Sequence, residues 1–168
     1  MNGVTARIRV LLVDDHAVVR EGYRRLLERD ENLTVVGEAA AMGEALMLDA
    51  QLQPDVIVLD IALPGVSGIE ILRRLIARRP DARVLMFSMY QDGIYATHAM
   101  NAGAFGYLSK ASAPDLLVSA VRTVAAGSRY MSPDVQLAMT TQFSRAAAMP
   151  SSSKPAGRNW RMRLDTTL

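Results

Sequence analysis

An α/β fold, with a doubly wound five-stranded parallel sheet and helices on both faces, is what this sequence predicts, and three observations predict it. Five short apolar runs alternate with segments of helical period. The runs show little apolar/polar alternation, as expected of strands buried on both faces. Polar residues able to do chemistry fall where the runs end, and in an open parallel sheet that carboxyl edge is where ligands bind.

The runs are Ile8–Val13, Leu33–Ala39, Val56–Leu59, Val84–Phe87 and Phe105–Leu108, and the candidate helices lie near 16–29, 42–52, 67–78, 92–102 and 113–126. Strands alternating with helices in this way form βαβ units. Pro54 and Pro80 stand where helices must stop before the third and fourth runs, because proline disfavours helix in the residue before it. Ser112 and Asp115 have capping-box spacing. Leu116, Leu117, Ala120, Val121 and Val124 make an apolar stripe along the fifth helix, and Gly127 is placed to end it. Ser132-Pro133 reads as the cap and first position of a short helix over 132–141. His16 reads as a helix-start residue, and the pairs Arg73-Arg74 and Arg78-Arg79 as a solvated helix face.

Composition narrows the function. With no cysteine, disulfides and thiolate metal sites are excluded, and two histidines argue against zinc. No run approaches the roughly 20 apolar residues of a membrane span, and no signal peptide opens the chain; a cytoplasmic protein without a membrane partner is expected. The pI of 9.2 is misleading about partners. Residues 1–141 carry 14 Lys/Arg against 16 Asp/Glu, whereas residues 142–168 carry five basic residues against Asp165. The body offers DNA no general attraction. From Arg145 to Leu168 no apolar period is sustained, and this stretch reads as a basic, disordered tail.

The chemistry sits at the run ends. Asp14 and Asp15 close the first run, Asp60 the third and Ser88 the fourth, and Lys110 follows the fifth. Three carboxylates within about 5 Å repel by roughly 3 kcal/mol per pair at an effective dielectric near 20, and a divalent cation removes that penalty. All-oxygen ligation favours Mg²⁺, which shares its shell with waters and phosphate. A lysine and a hydroxyl at the same edge complete a place for phosphoryl oxygens. Phosphoryl transfer to an aspartyl nucleophile is the implied chemistry.

Four segments in this order, VLLVDDH, VIVLDIALPGVSG, FSMY and GAFGYLSK, resemble the CheY-like receiver domain of bacterial response regulators, over residues 7–127. The resemblance implies a flavodoxin-like strand order of 2-1-3-4-5 and a role for each residue. Asp60 is the phosphoacceptor. Asp15 and Asp60 bind Mg²⁺ directly, Asp14 through water, and the carbonyl of Ala62 supplies a further ligand. Lys110 pairs with the phosphoryl group or with free Asp60. Ser88 reaches a phosphoryl oxygen, and Tyr107 is the aromatic that turns inward with it. Pro64 and Gly65 shape the loop after Asp60.

The opening VLLVDDHAVVREGYRRLLE and the stretch from GYLSK to SPDV are similar to the NarL/FixJ subtype, whose members carry a LuxR-like helix-turn-helix after the receiver. None is legible here; 128–144 reads as a linker with the short helix, and 145–168 as the tail. Ala111 stands where many receivers have proline, so a cis peptide before it would cost about 2.5–4 kcal/mol. The expected role is to accept a phosphoryl group from a sensor histidine kinase and switch conformation to control an output, transcription in the full-length family. The expected partners are that kinase and a transient homodimer through the fifth helix, without specific DNA binding. Two rivals stay open: a turnover phosphatase with an aspartyl nucleophile, which would place it in a DxD on the first strand, and a phosphate-independent pseudo-receiver.

Overall fold

A computed structural model of the chain describes residues 5–148. Strand β1 (Ile8–Val13) leads to α1 (Ala17–Glu28), β2 (Leu33–Ala39), α2 (Met42–Leu52) and β3 (Val56–Asp60). A two-residue-stranded hairpin, β4 (Ala62–Leu63) and β5 (Val66–Ser67), precedes α3 (Gly68–Arg78). Then come β6 (Val84–Ser88), α4 (Gly93–Asn101), β7 (Gly106–Ser109), α5 (Ala113–Ala125), β8 (Tyr130–Met131) and α6 (Pro133–Ala148). The main sheet runs β2-β1-β3-β6-β7-β8, all parallel. Its first five members are the five apolar runs in the expected order. The sixth is a correction: the sequence suggested five strands, and β8 adds two residues against Gly106 and Tyr107.

The sheet separates two cores. On one side Leu11, Ile57, Leu59 and Met86 pack with Ile71, Leu72 and Leu75 of α3. On the other, Val10, Leu12, Val58 and Phe87 pack with Leu27 of α1 and Leu117, Val121 and Val124 of α5. Successive residues of one strand thus feed opposite cores, which is why the runs read as continuously apolar. Four residues of the α5 stripe, Leu117, Ala120, Val121 and Val124, are fully buried. Leu116 and Val118 of the same helix stay half-buried, and its exposed face presents Ser119 and Arg122.

Other local expectations change in detail. Gly127 ends α5 with φ +86, but Ser112 makes no side-chain cap. Arg79 is not solvated: it forms a 2.6 Å ion pair with the buried Asp49 and also donates to the Pro54 carbonyl. The helix expected over 132–141 runs from Pro133 to Ala148. It covers the first four residues assigned to the tail and packs on α4; the tail residues 149–168 lie outside the described residues. Val135 of α6 is fully buried and Met139 packs on the same core. No peptide bond among the described residues is cis, including Lys110-Ala111. Among the described residues, no helix is long and apolar enough to cross a membrane.

Candidate functional site

The parallel ladder brings the ends of β1, β3, β6 and β7 to one edge. Asp14 leaves β1 with its N–H still donated to the Ala39 carbonyl at 2.9 Å. Its Oδ1 then accepts the His16 N–H at 2.9 Å, a turn that starts α1. Asp60 is the last residue of β3, and its Oδ1 accepts the Ala62 N–H at 3.0 Å. Asp14 and Asp60 are 4% and 3% exposed, so each depends on these bonds and on a countercharge.

Lys110 is that countercharge. Its Nζ donates to Asp14 Oδ2 at 3.0 Å and to Asp60 Oδ2 at 3.1 Å, with its side chain only 9% exposed. Burial is the largest single influence on its pKa and pushes it down; the hydrogen bonds and charges of Asp14 and Asp60 outweigh it, and the net shift is upward. The ammonium also lies over aromatic rings, 5.3 Å from Phe87 and 5.9 Å from Tyr23, which themselves meet edge-to-face at 4.7 Å. Cation–π attraction of this kind holds a lysine without neutralising it. Burial, the leading cause, raises the Tyr23 pKa, with Lys110 opposing it and Asp14 and Asp60 adding to it. The phenol therefore stays neutral beside the carboxylates.

Asp15 differs from the other two. Its Oδ1 is buried and accepts no hydrogen bond, although His16 Nδ1 lies 3.0 Å away. One oxygen or nitrogen from each of Asp14, Asp15, His16 and Asp60 falls within 4.8 Å of the others. Three carboxylates facing one ammonium leave a formal excess of negative charge, and one of their buried oxygens accepts no hydrogen bond. Both facts suit a hard divalent cation with oxygen ligands.

The remaining expected residues also gather here. Ser88 ends β6, is 1% exposed, and its Oγ accepts the Tyr90 N–H at 2.9 Å. Ala62 pairs with Ser67 in the β4–β5 hairpin. Pro64 and Gly65 occupy its turn, Gly65 at φ +76, where proline before glycine suits the backbone. Tyr107 was expected to turn inward on switching; it is fully buried already, and its hydroxyl donates to the Tyr90 carbonyl at 2.9 Å. Its pKa is raised, chiefly by burial, against the pull of the Ser88 hydroxyl. Sequence reasoning missed Tyr90, whose two backbone groups are held by Ser88 and Tyr107, and Tyr23, which lines the lysine. The Tyr23–Lys110 and Tyr107–Tyr90 contacts have no sequence signal, because the fold makes them; the Ser88–Tyr90 bond is a local two-residue turn.

The family model of the response regulator receiver domain matches residues 10–122. Response regulator GacA of Pseudomonas aeruginosa is 41% identical over 134 residues, covering 79% of this chain and 63% of the relative. Response regulator UvrY of Escherichia coli is 40% identical over 128 residues, 76% of this chain and 59% of its own. The chain thus spans about three fifths of the length of these curated relatives. Among solved structures, a LuxR-family two-component response regulator from Aurantimonas superposes with TM-score 0.80 at 45% identity, covering 83% of this chain and 99% of that one. The receiver domain of NarL from Mycobacterium tuberculosis gives 0.69 at 34% identity, over 73% and 98%. The acidic edge and its buried lysine lie inside or beside the matched span: this chain belongs to the response regulator receiver domain family, among its GacA-, UvrY- and NarL-like members.

Proposed function

We propose that the chain accepts a phosphoryl group on Asp60, with Mg²⁺ held at the same edge, and that a sensor histidine kinase supplies it. One observation carries this reading: Lys110 bridges Asp14 and Asp60 while the neighbouring Asp15 Oδ1 is buried and accepts no hydrogen bond. Asp14, Asp15, Asp60 and the carbonyl of Ala62 would hold the ion, and His16 remains at the rim, its side chain 66% exposed. Bound Mg²⁺ would neutralise the carboxylates and draw charge from the transferring phosphoryl oxygens.

The residues of the chain do the rest. An Asp60 carboxylate oxygen attacks phosphorus; the bond to the donor breaks, and its electron pair leaves with the donor. Lys110, already on Asp60 Oδ2, is placed to follow charge onto a phosphoryl oxygen. The Ser88 hydroxyl, whose oxygen already accepts the Tyr90 amide, would turn its proton from Tyr107 to a phosphoryl oxygen. Drawing Ser88 inward would pull the Tyr90 backbone, on which Tyr107 also bears. The switch in this reading is a shift of the Tyr90 segment relative to α4, with Tyr107 as the post it moves against. Control of an output, in this chain or in longer relatives, follows from that shift.

Incubation of the full chain with acetyl phosphate and Mg²⁺, read by intact mass, tests the reading. A single adduct of about 80 Da is expected, dependent on Mg²⁺ and absent from Asp60→Asn. Full labelling of that variant overturns the assignment, and repeated turnover of an aryl phosphate would mark the chain as a phosphatase instead.

A further inference from the structure

At the end of β1 the Asp14 carbonyl has passed beyond the strand pairs of the sheet, which stop at Val13. An acceptor there must find its donor elsewhere. Arg20 provides it: its Nη1 donates to the Asp14 carbonyl at 2.6 Å. The other side of the same guanidinium is fixed, because its Nε donates to Glu38 Oε1 at 3.1 Å. Glu38 belongs to β2 and is paired in register with Leu12. The arginine side chain is 19% exposed and the glutamate 25%, so the clamp is largely sheltered from solvent.

We propose that Arg20 is a positioning residue for the divalent cation: held by Glu38, it fixes the Asp14-Asp15 peptide in the orientation that keeps the Asp15 carboxylate aimed into the acidic pocket. This rests on the reading above that the pocket takes such a cation. The peptide group is planar, so fixing the Asp14 carbonyl also fixes the plane from which Asp15 departs. Asp15 Oδ1 has no hydrogen bond of its own and faces two other carboxylates. Freed from the clamp, it relieves that repulsion by turning to solvent, and an ion must then draw it back. Groups that orient a ligand without touching the metal act in this way. A planar guanidinium can hold two acceptors at once, whereas an ammonium on a flexible stem does so poorly.

Arg24 is a built-in control. Its Nη1 donates to Glu38 Oε2 at 2.9 Å, so it shares the glutamate and the helix, but no hydrogen bond joins it to the Asp14-Asp15 segment. The full chain and its Arg20→Gln, Arg20→Lys and Arg24→Gln variants are titrated with MgCl₂, first by thermal shift and then by acetyl phosphate labelling. For Arg20→Gln the Mg²⁺ midpoint should rise about tenfold in both, with Arg20→Lys in between and Arg24→Gln within about twofold of wild type. Saturating Mg²⁺ should restore full labelling in every variant, which a role in the chemical step would not allow. A midpoint for Arg20→Gln equal to that of Arg24→Gln overturns the proposal, as does labelling that saturating Mg²⁺ fails to restore. If Arg20→Gln shows no cooperative melt, Arg20→Lys decides, and an unmoved midpoint there overturns it. A wild-type chain that answers Mg²⁺ in the melt but takes no label removes the phosphoacceptor reading, while the thermal midpoints still decide the role of Arg20. A wild-type chain that does not answer Mg²⁺ overturns both.

Discussion

The carboxyl edge of the sheet and the face formed by α4 and α6 are built differently. At the edge, nearly every polar atom is committed: Lys110 to two carboxylates, Asp60 Oδ1 and Asp14 Oδ1 to backbone amides, the Asp14 carbonyl to Arg20. The α4–α6 face is held mostly by packing. Ile94 on α4, and Leu137 and Phe143 on α6, are each more than half exposed, and one notable polar tie is the Gln142 amide donating to Asp92 Oδ1 at 2.9 Å. Directional bonds fix a geometry to tenths of an ångström, as phosphoryl chemistry requires. Apolar contact with few bonds tolerates sliding at small cost. The edge is thus suited to hold a fixed geometry, and the face to shift.

The largest effect should come from breaking the edge at its orphan. Asp15→Asn removes one of three clustered carboxylate charges, one whose Oδ1 accepts no hydrogen bond, so the metal-free protein should melt at or above the wild-type temperature, while its Mg²⁺ response and its labelling are lost. A melting curve with and without MgCl₂ measures both; a destabilised metal-free variant that keeps its Mg²⁺ shift would show that the carboxylate serves the fold instead.

The next test breaks the other side. A Cβ at Gly93 would lie 2.8 Å from the Met139 backbone and 2.7 Å from Gln142 Oε1. Alanine gains up to about 1 kcal/mol of helix propensity over glycine, but overpacking against backbone costs about 1–3 kcal/mol, so Gly93→Ala should destabilise or unseat α6. Urea unfolding and proteolysis near Arg145 report this, and labelling of Asp60 should be unchanged. Loss of labelling would mean that the two regions are not separable.

A smaller effect sharpens the comparison through pH. The Lys110 pKa is raised above its ordinary 10.5 in the folded chain. Its contribution to stability is therefore fully present below that value and is lost as pH rises through the folded one. Tyr23, Tyr107 and Tyr130 are also raised and lose stability in the same range, so the measure is a difference. Lys110→Met should show a shallower fall in unfolding free energy above about pH 10.5 than wild type; equal slopes would remove Lys110 from the balance. The smallest effect concerns DNA. The chain, labelled or not, should bind it only weakly, without sequence preference, and lose it as salt rises. Recovery of one preferred sequence from a promoter library at physiological salt overturns this.

How much of this was legible in the sequence follows from what each feature depends on. The five runs and the gathering of Asp14, Asp15, Asp60, Ser88 and Lys110 depend on a strand's hydrophobicity and on where it stops, which are local properties. The length of α6 was not legible because its buried contacts, Val135 and Met139, are few and are interleaved with exposed Leu137 and Phe143. A two-residue strand such as β8 is too short to show any period. Arg20 and Arg79 are held by carboxylates from other elements, Glu38 and Asp49, Tyr90 takes the Tyr107 hydroxyl from another strand, and an arginine bound to a carbonyl reads in sequence like any solvated one. The resting position of Tyr107 is set by the Tyr90 carbonyl and could not be read from spacing.

The sixth strand has a consequence for assembly. Without it, β7 would end the sheet and offer Gly106–Ser109, the segment leading into Lys110, as a row of unpaired amides and carbonyls to another chain. Tyr130 and Met131 take that place: the Tyr130 N–H goes to the Phe105 carbonyl and the Ser132 N–H to the Tyr107 carbonyl, each at 3.0 Å. What remains on the outside is two residues long, too little to template a continuous intermolecular sheet. The strand that leads into Lys110 is thereby shielded from being zipped into a neighbour.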